Sequence, residues 1–206
     1  LDSLLAGKVN TVTMRPDGDM ATDQTLSGVA VLSGAFNPLH AGHIQLARAA
    51  TAHLHRHAVF ELSVLNADKG ALSHAEIRRR LRQFHRPWQL VLTRQPLFAQ
   101  KAANFRNSVF VVGYDTALRL LQPRYYQNDQ SAMRAALVAV RTAGCRFLVA
   151  GRRLQGRFRT ASDLSIPAGF TDLFEELPEA DFRVDTSSTE AREGKDCGDT
   201  HAHDAA

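Results

Sequence analysis

From residue 28 onward, short apolar segments alternate with longer segments of helical periodicity. The apolar segments predict strands at residues 29–32, 59–64, 90–92, 109–112 and 147–150. The segments between and after them predict helices at residues 40–55, 73–84, 97–105, 116–121 and 132–142. A repeat of strand, helix and strand folds into parallel βαβ units with right-handed crossovers. We therefore predict an α/β fold, a Rossmann-like doubly wound parallel sheet with helices on both faces.

The segments that flank this repeat have a different character. Residues 1–27 are polar after a short apolar start and include a turn signal, Pro-Asp-Gly at residues 16–18, so an irregular N-terminal segment is expected. Residues 28–193 are predicted to form one domain. Residues 194–206 contain few large apolar side chains and are expected to form a disordered tail. A chain of 206 residues that is 44% hydrophobic can bury a sizeable core.

The net charge of +4 favours anionic partners in a general way. Much of the excess comes from one predicted helix, which carries Arg78, Arg79, Arg80 and Arg82. We interpret this helix as a solvated face, since no aromatic residues interleave with the arginines as in a nucleic-acid surface. No apolar run approaches the ~20 residues that a membrane span requires. Two cysteines do not indicate a disulfide framework, which favours the cytoplasm or nucleus and leaves an upstream targeting segment open.

The junction between the first predicted strand and its helix carries the most informative motif. It reads Ser-Gly-Ala-Phe-Asn-Pro-Leu-His-Ala-Gly-His at residues 33–43. The N-terminus of a helix binds anions through its free N–H groups and its dipole. In open α/β sheets, ligands bind beyond the C-terminal ends of the strands, where this junction lies. His40 and His43 are three residues apart at the helix start, so both can face one phosphate group.

This motif resembles the Gly-x-Phe-Asn-Pro-x-His-x-Gly-His signature of the nucleotidylyltransferase superfamily, which has a cytidylyltransferase-like domain. Its Phe-Asn-Pro form is similar to nicotinamide-nucleotide adenylyltransferases. The resemblance implies that His40 and His43 are catalytic and contact a nucleoside triphosphate, with His43 nearest the reacting α-phosphate. It further implies nucleotide binding by Gly34, Ala35, Phe36 and Asn37. Ala35 stands where the family often has a small hydroxyl residue, which removes a side-chain contact but keeps the backbone N–H.

A second segment, Asp-Thr-Ser-Ser-Thr-Glu-Ala-Arg at residues 185–192, is similar to the family's Ile-Ser-Ser-Thr-x-x-Arg segment. The resemblance implies that Ser188 and Thr189 bind the β- and γ-phosphates. Arg192 would be the catalytic cation on the pyrophosphate side, where a guanidinium forms charge-assisted hydrogen bonds. A run of Ser and Thr before a helix is also typical of a simple N-cap, and that interpretation stays open.

Two other segments follow predicted strands at the same edge of the sheet. Gly113 and Asp115 resemble the family's Gly-x-Asp segment, which implies nucleotide contact, with ribose hydroxyls as partners of the carboxylate. Asp115 could instead be a helix N-cap. Lys69 ends the loop after the second strand, and the resemblance implies that it contacts a phosphate of the acceptor nucleotide. The alternative for Lys69 is a capped surface loop.

The implied activity is nucleotidyl transfer, in which the acceptor attacks the α-phosphorus of a nucleoside triphosphate in line, without a covalent intermediate. The resemblance favours nicotinamide-mononucleotide (NMN) adenylyltransferase activity in NAD biosynthesis, with ATP and NMN as partners and Mg²⁺ bound with the ATP. Nicotinate mononucleotide stays open as the acceptor. The alternatives are an adenylyl- or cytidylyltransferase for phosphopantetheine or a phosphoalcohol, and a non-catalytic nucleotide-binding regulator. Departures from the family pattern at Ala35, Thr186 and Ala191 keep the last of these open.

Overall fold

Eight strands form the central sheet of the computed structural model, which describes residues 1–66 and 70–183. These strands are β1 (Thr11–Met14), β2 (Met20–Thr22), β3 (Ala30–Ser33), β4 (Ala58–Ser63), β5 (Gln89–Thr93), β6 (Val109–Gly113), β7 (Arg146–Ala150) and β8 (Phe174–Leu177). Their spatial order is β8-β7-β6-β3-β4-β5-β1-β2. The strands from β8 to β5 pair in parallel, and β1 pairs antiparallel with both β5 and β2.

The helices and short strands connect and flank this sheet. The α-helices are α1 (Asp2–Leu5), α2 (Ala41–Leu54), α3 (His74–Leu81), α4 (Phe98–Lys101), α5 (Tyr114–Leu120) and α6 (Gln130–Thr142). Single 3-10 turns occur at Pro123–Tyr126, Ala161–Asp163 and Thr171–Leu173. The short strand pairs are Leu26–Ser27 with Phe105–Arg106, Leu65–Asn66 with Gly70–Ala71, and Arg152–Leu154 with Arg157–Arg159.

Hydrophobic cores lie on both faces of the sheet, because successive side chains of each strand point to opposite faces. On β3, Ala30 and Leu32 pack into the core that holds α1, α2 and α3, whereas Val31 packs into the core that holds α5 and α6. Both faces are therefore covered by helices, and the predicted α/β Rossmann-like class is confirmed. No helix within the described residues has the length and apolar character needed to cross a membrane.

The strand order reverses between β3 and β6. The chain proceeds from β3 to β4 and β5 on one side, and later continues with β6, β7 and β8 on the other. At such a reversal the connections leave toward opposite faces, which opens a crevice at the C-terminal ends of the two strands. The loop after β3 and the start of α5 after β6 lie at this crevice, so the fold places the histidine motif at its ligand-binding edge.

The structure differs from the sequence prediction at residues 1–27, which we expected to be irregular. This segment contains α1 and two strands of the central sheet, and Leu4 is completely buried. The reason is that β1 is short and is buried on both sides, with Thr11 and Thr13 flanking Val12. Because threonine is a polar residue, the sequence of this buried strand resembles that of an exposed segment. The predicted helix at residues 97–105 is also shorter, with α4 limited to Phe98–Lys101.

Candidate active site

The loop between β3 and α2 is anchored by the side chain of Phe36. This residue has a left-handed backbone conformation, with φ of 46°, and it is only 2% exposed. The ring makes edge-to-face contacts with Phe60 and Phe84, at centroid distances of 5.3 Å, and with His43 at 5.1 Å. A residue held in this sparsely populated region needs strong packing around it. The aromatic contacts supply that packing and fix the loop relative to His43.

Gly34 is required by this packing. A Cβ atom at residue 34 would lie 2.8 Å from the Phe36 ring, closer than real contacts allow. The resemblance assigned Gly34 to nucleotide binding. The structure adds a second reason for a glycine here, since the Phe36 ring occupies the space that a side chain would need.

We expect Gly34→Ala to lower the free energy of unfolding by about 1–3 kcal/mol, because the anchored Phe36 ring must move to admit the methyl group. Urea unfolding followed by circular dichroism measures the change. Gly113→Ala is the matched control, since a Cβ at residue 113 meets nothing within 4 Å and its φ is −76°. Gly113 is the N-cap of α5, so its replacement should cost about 1 kcal/mol at most. Equal losses in the two variants would contradict the steric argument.

The two histidines of the motif contact each other at the start of α2. His40 is the N-cap residue, and its backbone N–H donates to Nδ1 of His43 over 3.3 Å. The two rings lie 3.8 Å apart with an angle of 31° between their planes. Because Nδ1 of His43 accepts a hydrogen bond, the neutral ring carries its proton on Nε2. His43 is therefore held as a donor through Nε2–H.

The electrostatic environment keeps this donor neutral. Burial, with repulsion from His40 as a smaller cause, lowers the pKa of His43 from 6.5 to about 4. Burial also lowers the pKa of His40. Near neutral pH His43 is uncharged, so it can donate to a phosphate oxygen without itself changing protonation state.

One cavity of about 340 Å³ lies between the histidine motif and the ends of β6 and β7. It brings together most of the nucleotide-binding residues predicted from the sequence, namely Gly34, Ala35, Phe36, His40, His43, Gly113 and Asp115. Asp115 forms an ion pair with Arg152, which also lines this cavity. The Asp115 carboxylate, at the start of α5, is therefore paired with a cation from the segment that follows β7.

Sequence analysis missed Arg152 and Arg153, which line the same cavity. They follow β7 after one intervening residue, Gly151, much as the histidine motif follows β3. Their position after a predicted strand was the available signal, since parallel strands end at one edge of the sheet. The two arginines line the cavity together with Asp115, which forms an ion pair with Arg152.

A second cavity, of about 480 Å³, lies on the other side of the motif loop, toward β4 and β5. Residues 33–36, His43 and Thr116 line both cavities. Asn37, which the resemblance assigned to nucleotide binding, lines only the second cavity. The Ser33 hydroxyl at the boundary is buried and has no hydrogen-bond partner among the described residues. The site thus consists of two cavities that meet at the motif loop and His43.

Helix α3 holds the motif loop from the side of the second cavity. Arg80 donates through Nη1 to the Ala35 carbonyl over 2.8 Å, and Gln83, just beyond the helix, donates to the Phe36 carbonyl over 3.0 Å. Arg80 is only 8% exposed. The prediction that the arginines of this helix form a solvated face was therefore wrong for Arg80, because a motif loop 45 residues away in sequence packs against it.

Four predicted site residues lie outside the described part of the chain: Lys69, Ser188, Thr189 and Arg192. Their roles stay predictions from the sequence. The predicted tail at residues 194–206 also lies there.

A parallel sheet, a reversed strand order and a loop at the reversal that leads into a helix are typical of nucleotide-binding α/β domains. The chain belongs to the cytidylyltransferase-like family, whose model matches residues 31–194, from β3 to beyond β8. Membership confirms the resemblance to nucleotidylyltransferases and makes the protein a nucleotidyltransferase. Comparison with curated proteins gives no significant match to an individual protein.

Proposed function

We propose that the protein is a nicotinamide-mononucleotide adenylyltransferase that converts ATP and NMN into NAD and pyrophosphate. The observation that carries the proposal is the pair of cavities on either side of the motif loop, with His43 lining both. A transfer between two nucleotides needs two adjacent binding sites and a phosphate-stabilising group where they meet. The Phe-Asn-Pro form of the motif favours a pyridine nucleotide as the acceptor.

The first cavity suits the donor, ATP. It lies at the N-terminus of α2, where backbone N–H groups and the helix dipole favour a triphosphate. Arg152 and Arg153 add cationic groups, and Asp115 supplies a carboxylate for ribose hydroxyls. Ser188, Thr189 and Arg192 would complete the pyrophosphate side. In this proposal the α-phosphate of ATP lies beside His43.

The second cavity suits the acceptor. Its volume of about 480 Å³ falls in the range of small-molecule sites. An oxygen of the acceptor phosphate attacks the α-phosphorus of ATP, the new P–O bond forms, and the bond from the α-phosphorus to the bridging oxygen breaks. Pyrophosphate leaves with that bridging oxygen. His43 donates from Nε2 to the oxygens on which negative charge develops, which lowers the barrier electrostatically.

We propose that Mg²⁺ enters the site with the triphosphate. Asp115 is the one carboxylate that lines either cavity within residues 1–66 and 70–183, and it is ion-paired with Arg152. No group of three or more metal-ligating side chains forms in that part of the chain. These residues fit a metal held mainly by phosphate oxygens, where it offsets charge on the triphosphate.

Pyrophosphate release tests the proposal. With ATP, NMN and Mg²⁺ we expect turnover and stoichiometric NAD. Three other substrate pairs are assayed in parallel: ATP with nicotinate mononucleotide, ATP with phosphopantetheine, and CTP with a phosphoalcohol. Faster turnover with nicotinate mononucleotide would reassign the acceptor within pyridine nucleotides. Turnover with CTP and a phosphoalcohol, and none with ATP and either mononucleotide, would refute the proposal.

A further inference from the structure

The guanidinium of Arg80 lies between the motif loop and the second cavity. Its Nη1 donates to the Ala35 carbonyl over 2.8 Å, and its Nε and Nη2 contact Oε1 of Glu76 at 2.8 and 2.7 Å. An arginine side chain has about five N–H donors, so roughly two remain beyond these three contacts. Arg80 also lines the second cavity. A nearly buried guanidinium with spare donors therefore borders the space assigned to the acceptor.

The charge around Arg80 is not balanced. Glu76 also contacts Arg79, at 2.9 Å from Nε and 2.7 Å from Nη2. Hydrogen bonds from Arg79 and Arg80 lower the pKa of Glu76 to about 2, so it is ionised near neutral pH. Two guanidinium groups thus share one carboxylate, and this cluster keeps one net positive charge.

The other cation lining the second cavity is differently placed. Lys101 is paired one to one with the buried carboxylate of Glu61, at 2.6 Å. That pair carries no net charge. Of the two cations among the described residues that line the second cavity, Arg80 is therefore the one that belongs to a cluster with net positive charge, and this cluster attracts an anion.

We propose that Arg80 binds the phosphate group of the acceptor. The inference rests on the proposed function, because it takes the second cavity as the acceptor site. A guanidinium presents a planar pair of N–H donors that matches two phosphate oxygens. Arg80 also holds the Ala35 carbonyl, so the residue that binds the acceptor phosphate also positions the loop at the reacting α-phosphate.

The test compares Arg80→Lys with Arg79→Lys. Both arginines contact Glu76 and both contact the motif loop, Arg79 through the Asn37 side chain, but of the two only Arg80 lines one of the two cavities described above. Each protein is saturated with α,β-methylene-ATP, which fills the donor site without reacting. Calorimetry then measures the Kd of NMN and of nicotinamide riboside, which lacks the phosphate.

We expect Arg80→Lys to weaken NMN binding about 10- to 100-fold, as for loss of a charge-assisted bidentate contact, and riboside binding less than about threefold. Arg79→Lys should change both by less than about threefold. If Arg80→Lys does not fold, Arg80→Gln is the replacement variant, with the same expected loss.

Equal weakening of NMN and the riboside would overturn the proposal, since it would mean a change of cavity shape. Weaker binding of α,β-methylene-ATP alone would also overturn it, because Arg80 would then serve the donor.

If the wild-type protein binds no NMN, the proposed acceptor is wrong, and inorganic phosphate becomes the probe with the donor site still filled. Phosphate binding that Arg80→Lys abolishes and Arg79→Lys retains would then support Arg80. Phosphate binding unaffected by Arg80→Lys, or absent from the wild-type protein, would refute it.

Discussion

Replacement of His43 by alanine should lower kcat by about 10²–10³-fold while the affinity for ATP changes only a few-fold. The reason is that a donor aimed at developing charge acts mainly in the transition state. His43 is held for this role by the hydrogen bond from the His40 N–H to its Nδ1, which leaves Nε2–H for the phosphate. Steady-state kinetics give kcat, and calorimetry with α,β-methylene-ATP gives the affinity.

His43→Gln is the informative control, because it retains a neutral N–H donor. Since the pKa of His43 in the free protein is lowered to about 4, its ring is neutral between pH 6 and 8 before substrate binds, and we expect no ionisation of His43 in the pH profile of kcat/KM over that range. The glutamine variant should then retain more activity than the alanine variant. Equal losses of kcat and of ATP affinity would instead show that His43 binds ATP in the ground state. Unchanged activity would remove it from the mechanism.

Replacement of Lys101 by methionine should lower the free energy of unfolding by about 3–5 kcal/mol. Glu61 is completely buried in β4, where it accepts hydrogen bonds from Lys101 at 2.6 Å and from the Thr93 hydroxyl at 2.5 Å. Without the ammonium group, the carboxylate stays in a low-dielectric interior with one neutral partner. Chemical unfolding monitored by circular dichroism measures the loss.

The double variant Glu61→Gln, Lys101→Met provides the control. Its amide can still accept from Thr93 and carries no charge, so most of the lost stability should return, to within about 1–2 kcal/mol of the wild-type protein. A double variant as unstable as Lys101→Met would show that packing of the lysine stem, rather than the unpaired charge, dominates. A cost below about 1 kcal/mol for Lys101→Met would mean that water reaches Glu61.

The parallel part of the fold could be predicted because its strands are buried on both faces. The segments that became β3, β5, β6 and β7 contain continuous apolar runs, and β4 is interrupted only by Glu61; a helical pattern follows each of them except β7. The site at the C-terminal edge then follows from topology, since parallel strands end together. For this reason His40, His43, Gly113 and Asp115, which are far apart in sequence, were expected at one edge, and one cavity brings them together.

What could not be predicted depends on contacts between distant segments. Nothing in the sequence of α3 distinguishes Arg80, which holds the Ala35 carbonyl, from its neighbours on a charged helix. Likewise, Glu61 reads as an interruption of an apolar strand until Lys101 and Thr93 are placed around it. β8 was missed because two glutamates, Glu175 and Glu176, separate its buried ends. Local periodicity does not carry this information.

The antiparallel hairpin of β1 and β2 has a consequence for where this domain can be cut. A fragment that starts at residue 28, the boundary suggested by the sequence pattern, would lose both strands and the buried Leu4. Strand β5 would then be a bare sheet edge, with Leu90, Val91 and Leu92 beside unpaired backbone N–H and C=O groups. Exposed apolar edges of this kind pair with other chains. The smallest fragment expected to stay monodisperse therefore includes the first 27 residues, although the family match begins only at residue 31.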